Sequence, residues 1–516
     1  MLENRDRRKF LADVGKGMLV ASVGPALAFD LGLASAAEGK GPARLTFGEL
    51  EPLVGLMQDT PADKLLPAVA EKIKGGTELR TLVAAAGLAN ARTFAGHDYV
   101  GYHSFMALCP AYQMAQELPG PRQALPVLKV LYRNTNRMQE AGGSKKEAMH
   151  PVEPAQLPSD KAGGEALREA TRRVDRAGAE GVFAALAKGP VGEAYNHLQW
   201  EIQDEADVHR VVLSWRAWVM LDFTGKEQAH TILRQSVQYC LDAEANHKQN
   251  RRTPSAIRAM LPKLLDQYKL LGRPAGTRQP DDAWVAKLAQ TIYTGGRPRA
   301  AEAVAAALAE GMKPEAVGEA ISLAANMLLL HDPGRSQAEG AEKPRGSVHG
   351  ASVGVHAQDS ANAWRNIARV SDARNVVASL IVGAYHTAER QGGLNKQPYP
   401  LPEHLEKVQA KDAATLLKLA EEAVKANDQA GACAAVHRYG ELGHAPRGAF
   451  DLLLRYAVSE DGALHAEKYY RTVAEEFAAT RPAFRWRHLV GLARVTASEY
   501  GRPAPGYADA CRLLKV

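Results

Sequence analysis

Histidine recurs at matching places in two halves of this chain, and that recurrence is the strongest limit on what it can fold into. PADKLLPAVAEKIKGG, from Pro61, answers PRAAEAVAAALAEGM, from Pro298. GHDYVGYHSFMALCPAY, from Gly96, answers VHGASVGVHAQDSANAW, from Val348. In this alignment five histidine pairs coincide: His97/His349, His103/His356, His150/His404, His209/His465 and His230/His488. With 16 histidines in 516 residues, chance would align hardly one pair. The cysteines behave oppositely, with Cys109 facing Asn362 and Cys240 facing Ser498. A long-period repeat of this kind marks a duplicated structural unit.

The units read as helical. Leu65, Val69 and Ile73 recur every four residues and mark one helix face. Residues 299–312 are Ala-rich and end at Gly311, a helix-former run with a C-terminal cap. Alternating β-branched runs are scarce, and Gly/Pro-rich polar connections separate the periodic segments. The expected fold is therefore all-α, with two similar helical lobes from a tandem duplication, related by a pseudo-two-fold axis. The boundary falls near Asp281, giving residues 37–280 as the first lobe and 281–516 as the second. The polar stretch Asp332–Gly346 reads as an insertion in the second lobe and a candidate lid or substrate loop.

Residues 1–36 are set apart from the fold. They carry Arg7-Arg8, then Lys9, Phe10 and Leu11, a weakly apolar stretch, and the small residues Ala34-Ser35-Ala36. This resembles a twin-arginine export signal. The resemblance implies the twin-arginine machinery as a partner, a periplasmic or extracellular location, and export in the folded, cofactor-loaded state. Four cysteines are too few for a disulfide-built scaffold. Outside the leader no apolar run reaches 18 residues, so the mature chain is expected to have no stable membrane span. The net charge of +6 is small for this length and lacks Lys/Arg tracts, which argues against nucleic acid as a partner.

Imidazole is thus the side chain the two halves share. It ligates metals, moves protons or joins helices by buried hydrogen bonds. The candidate metal ligands are His97, His103, His209, His230, His349, His356, His465 and His488. The first and third pairs of that set, His97/His103 and His349/His356, lie in Gly-rich stretches where a loop or broken helix is expected. His209 and His230, like His465 and His488, fall on successive helices. Such sites suit iron, copper, manganese or zinc, or a haem held without covalent attachment. The acidic cluster Glu201–Asp207 reads as a solvated helix face, and His150 and His404 as loop caps.

There is no C-x-x-C-H, H-E-x-x-H, G-x-S-x-G or P-loop. LAEGMKPEAVGEAISLAAN resembles the helical core of carboxymuconolactone-decarboxylase-like proteins, without the paired cysteines of the peroxidase-type members, and implies no function. The leading expectation is an exported helical oxidoreductase that uses a histidine-held redox metal on a small-molecule substrate. The alternatives are a helical-repeat binding protein of the cell envelope, without catalysis, and a metal-dependent hydrolase or lyase.

Overall fold

The computed structural model describes residues 43–388 and 393–516. The leader lies outside the described residues. Helix accounts for 71% of the structure, in 22 α-helices and without strands among the described residues, so the chain is all-α as its periodicity requires. No helix among the described residues is long and apolar enough to cross a membrane.

The chain opens with α1 (Glu51–Asp59), α2 (Ala62–Lys74), α3 (Leu79–Phe94), α4 (Tyr99–Ala115) and α5 (Ala124–Ala141). Next come α6 (Gly163–Arg173), α7 (Arg176–Leu186), α8 (Val191–Ile202), α9 (Val208–Thr224), α10 (Ala229–Gln249) and α11 (Ile257–Gln267). The second half begins with α12 (Asp282–Ala309), α13 (Pro314–Leu330), α14 (Val353–Val370), α15 (Ala373–Thr387) and α16 (Pro402–Glu406). It ends with α17 (Ala413–Lys425), α18 (Gln429–Glu441), α19 (Pro446–Ser459), α20 (His465–Ala479), α21 (Trp486–Glu499) and α22 (Tyr507–Leu514).

Asp281 caps α12 through the Trp284 amide, which explains why the chain punctuates there. The core does not stop at that point. Leu88, Phe105 and Val211 from the first half belong to the same buried apolar cluster as Leu323, Val355 and Val473 from the second. Helices α4 and α9 pack on each other, as do α14 and α20. Across the halves, α9 packs on α14 and α20 on α4. These four helices thus pack in a closed ring of contacts, two from each half.

Local sequence fixes where each of the four begins. Asp98 accepts the Gly101 amide at 2.7 Å and starts α4. Asp207 accepts the His209 and Arg210 amides at 2.8 and 3.3 Å and starts α9. Ser352 accepts the Val355 amide at 3.3 Å and starts α14. Each such cap satisfies amides that the first helical turn leaves bare. Helix α20 follows a left-handed turn in which Gly462, Ala463 and Leu464 have φ of 52°, 49° and 66°. Two non-glycine residues in that region carry backbone strain.

Candidate metal centre

His103, His209, His356 and His465 all lie near the N-terminal ends of their helices, α4, α9, α14 and α20, and those ends meet. The rings form a closed circuit. Ring centroids stand 4.9 Å apart for His103–His209, 5.5 Å for His209–His356, 5.4 Å for His356–His465 and 5.1 Å for His465–His103. Two histidines come from each half of the chain.

Hydrogen bonds to carbonyls assign the tautomers of two of the four rings. His103 Nδ1 lies 2.7 Å from the Tyr99 carbonyl one turn earlier, and a carbonyl only accepts, so Nδ1 carries the proton and donates it. His465 Nδ1 likewise donates to the Ala463 carbonyl at 3.1 Å, a bond the strained turn sets up. Their Nε2 atoms are therefore bare lone pairs. His356 Nε2 and His465 Nε2 are 3.2 Å apart. The Nε2 atoms of His103 and His209 are buried without a hydrogen-bond partner. A buried polar atom left unpaired costs about 1–3 kcal/mol, so the orphaned Nε2 atoms of His103 and His209 call for a partner, a cation or a proton.

Protons are disfavoured there. Burial pushes His209 down to about 4 and His356 to about 3, and takes His103 and His465 well below the usual imidazole range. The ammonium of Lys468, one turn after His465, acts in the same direction on all four. Lys468 is itself pushed down to about 8 by burial, with Asp359 and Glu467 opposing. The helix N-termini add their positive ends to the same disfavour. The imidazoles are held neutral, which is the ligating form.

A metal–imidazole bond of about 2.0–2.1 Å places neighbouring donor nitrogens about 2.9–3.3 Å apart and ring centroids about 4.5–5.2 Å apart. The 3.2 Å contact and the 4.9 and 5.1 Å centroid distances lie within those ranges, whereas the 5.4 and 5.5 Å distances to His356 lie beyond them. As it stands, no group of three or more His, Cys, Asp or Glu among the described residues is drawn tight enough to hold an ion. Four rings around a small gap match one ion better than a haem, which needs a slot the width of a macrocycle.

The other four candidates stand apart from this circuit, for a geometric reason, although His230 Nε2 is also buried without a partner. Successive packed helices run antiparallel, so ligands near the start of each are separated by a helix length. His230 sits at the start of α10 while His209 starts α9, whose 17 residues span about 25 Å. His488 starts α21 and meets Thr480 at 3.3 Å, beyond the far end of α20 from His465. His349 has both ring nitrogens committed, to Ser498 Oγ and the Glu342 carbonyl, each at 2.8 Å. His97 is exposed and pairs with Asp242 at 2.5 Å. The expected loop or broken helix is also corrected: His103 and His356 sit in regular helix, just inside the caps at Asp98 and Ser352.

The acidic cluster Glu201–Asp207 is likewise not a solvated face. Glu201 is buried against Thr171, with burial raising its carboxyl to about 8, and Asp204 is buried against Arg172. Tertiary partners invert what the charge pattern suggests.

Several neighbours carried no sequence signal of their own. Tyr99, Tyr102 and Tyr239 surround His209 at centroid distances of 5.7, 5.4 and 6.5 Å. Tyr99 and Tyr102 also flank His103, at 4.3 and 5.0 Å. Tyr239 donates its hydroxyl to Asp207 at 2.9 Å. Only the spacing Tyr99-x-x-Tyr102-His103 and the cap Asp207 before His209 hinted at this shell.

A cleft of about 1030 Å³ reaches the centre. Of the four histidines it touches His356, and it is lined as well by Asp207, Val208, His247, His386 and Asp332–Glu339. The polar stretch read as an insertion therefore borders the approach to the four histidines. His386 accepts a 3.2 Å hydrogen bond from the Trp364 indole. Comparison with protein-family models, curated proteins and solved structures finds no match to this chain.

Proposed function

We propose that the protein is an exported metal-dependent oxidoreductase whose single metal ion is bound by the Nε2 atoms of His103, His209, His356 and His465. The observation that carries this reading is the buried meeting of four imidazole rings, two of whose Nε2 atoms have no partner. Nδ1 of His103 and His465 is anchored to backbone carbonyls, the outer-shell support that ligating imidazoles normally have. An all-imidazole set suits copper, iron or zinc. A redox ion is favoured by the tyrosines packed around His103 and His209. The cleft supplies the room for a small-molecule substrate beside His356, with Asp332–Glu339 as the wall that borders it.

The same reading takes residues 37–280 and 281–516 as duplicated lobes. A two-fold rotation that exchanges His103 with His356 and His209 with His465 preserves the cyclic order of the rings. It also exchanges the α9–α14 contact with the α20–α4 contact. The Arg7-Arg8 leader supports export of the folded, metal-loaded chain through the twin-arginine machinery.

Elemental analysis of protein purified from a strain with intact export tests the reading. About one copper, iron, manganese or zinc per chain is expected, falling to background in a His103→Ala/His356→Ala double variant that keeps its helix content. Metal-free wild-type protein that also takes up none of these ions on titration overturns it.

A further inference from the structure

The four central helices carry a second tier of side chains further along from the histidines. Steps of three or seven residues along a helix keep to one face. Asp359 follows His356 by three residues, Lys468 follows His465 by three, and Arg216 follows His209 by seven. On α4 the step of three from His103 meets Met106, which is buried and uncharged. Arg216, Asp359 and Lys468 are 2%, 4% and 3% exposed, so three ionisable groups share the interior of the helix ring.

They do not satisfy one another. Asp359 Oδ1 accepts the Thr472 hydroxyl at 2.8 Å. Nε and Nη1 of Arg216 are buried with no hydrogen-bond partner. Neither Arg216 nor Lys468 makes a direct ion pair among the described residues. The three are nonetheless close enough to act on each other. Burial raises the Asp359 carboxyl while Lys468 and Arg216 pull it back, and Arg216 adds to the burial that pushes Lys468 down to about 8. The other carboxylates acting on this tier are taken, Glu467 by Lys129 and Glu475 by Arg471, each at 2.7 Å. Two cations thus stand against one carboxylate. A buried charge needs a compensating partner, and water at the bare N–H groups leaves the excess charge in place.

We propose that this tier binds one small monoanion, of halide or formate size, between the Arg216 guanidinium and the Lys468 ammonium. A single negative charge closes the balance of two cations and one carboxylate, whereas a dianion overshoots it beside Asp359. The bound anion also offsets the positive potential that Lys468 exerts on all four imidazoles. The site does not depend on the metal reading, because the excess charge is present whether or not an ion sits among the histidines.

The test follows thermal unfolding of the full chain, first exchanged into gluconate, as chloride, bromide or formate replaces gluconate at constant ionic strength. A rise in unfolding temperature that saturates is expected with at least one of the three, and no saturating rise with sulfate. Arg216→Met and Lys468→Met should each weaken the apparent affinity at least tenfold. In gluconate alone Arg216→Met should be at least as stable as the wild type, since it removes an uncompensated charge; in saturating anion the wild type should overtake it. Wild-type crystals soaked in bromide should show an anomalous peak between Arg216 and Lys468, a readout that needs no variant to fold. A response that never saturates, a saturating one that both variants keep, or bromide-soaked crystals without that peak overturns the anion site. Elemental analysis of the same preparations separates the two readings. A metal-free chain that responds supports the anion site alone, and a metal-loaded chain that does not respond overturns it while leaving the metal centre standing.

Discussion

His356 and His465 face each other with Nε2 atoms 3.2 Å apart, although 109 residues separate them in the chain. His465 Nε2 is the bare lone pair of the two, because its Nδ1 donates to the Ala463 carbonyl, so His356 Nε2 bears the proton that joins them or a cation takes that proton's place. His103 and His209 complete the circuit from the other half of the molecule, and their own Nε2 atoms lack partners. The folded chain has therefore gathered four neutral imidazoles and left two of their nitrogens without hydrogen bonds.

Metal loading should follow this circuit and ignore the other histidines. His356→Ala and His465→Ala are each expected to lower metal affinity at least tenfold. His97→Ala and His349→Ala should leave stoichiometry unchanged, since those rings serve Asp242 and Ser498. Elemental analysis of the four variants, with circular dichroism as the folding control, separates the sets. Saturating metal should also raise the unfolding temperature of the wild-type chain, because an ion that binds the native state at 100 times its dissociation constant stabilises it by about 2.7 kcal/mol.

Acid should destabilise the protein over a defined window. Burial pushes His349, His386 and His488, all outside the circuit, down to about 4. In the unfolded chain they titrate near the ordinary imidazole value of about 6.5. Above that value both states are neutral and the full stability is present. As pH falls from about 6.5 towards 4, the unfolded chain takes up protons that the native state refuses, and each such histidine costs roughly 1.4 kcal/mol per pH unit. Urea unfolding midpoints between pH 7.5 and 4.5 should decline steadily, and a flat profile would exclude this origin of acid lability.

Lys129 joins the halves from inside the core. Its ammonium binds Glu467 Oε1 at 2.7 Å and the Ala457 carbonyl at 2.9 Å, and both side chains are essentially unexposed. Removing one partner of such a pair leaves a buried, uncompensated charge. Lys129→Met should therefore destabilise the fold by about 3–5 kcal/mol, whereas the exposed pair Lys74–Glu71 should contribute under about 1 kcal/mol. Chemical denaturation of Lys129→Met and Lys74→Met gives both numbers.

Gly96 has no room for a side chain. Its φ is +88°, and a Cβ there would lie 2.4 Å from the Gln235 carbonyl oxygen, a backbone atom that cannot rotate aside. Gly96→Ala combines left-handed strain with overpacking and is expected to cost about 2–4 kcal/mol. Gly192, where a Cβ meets nothing within 4 Å, is the control and should tolerate alanine within about 1 kcal/mol. Thermal unfolding of the two variants checks the contrast.

Of the eight histidines singled out by position, His103, His209, His356 and His465 meet, and the reason is where each falls in its helix. All four sit just inside a helix N-terminus, and the four N-termini converge. His230 and His488 also begin helices, but on the antiparallel partners, so a helix length carries them away. Spacing along the chain records neither which end of a helix bundle meets another nor which nitrogen a carbonyl has claimed.

Sequence by itself determined the helical class. It did so through 3.6-residue periodicity, Ala-rich helix formers and capping residues, all of which act between neighbours in the chain. It also singled out imidazole, because recurrence at matching places needs no knowledge of space. Only the tertiary structure decided which imidazoles meet, that Glu201 and Asp204 turn inward to Thr171 and Arg172, and that Tyr239 reaches Asp207. Those relations join residues tens to hundreds of positions apart, and they follow from how helices pack, which no local pattern encodes.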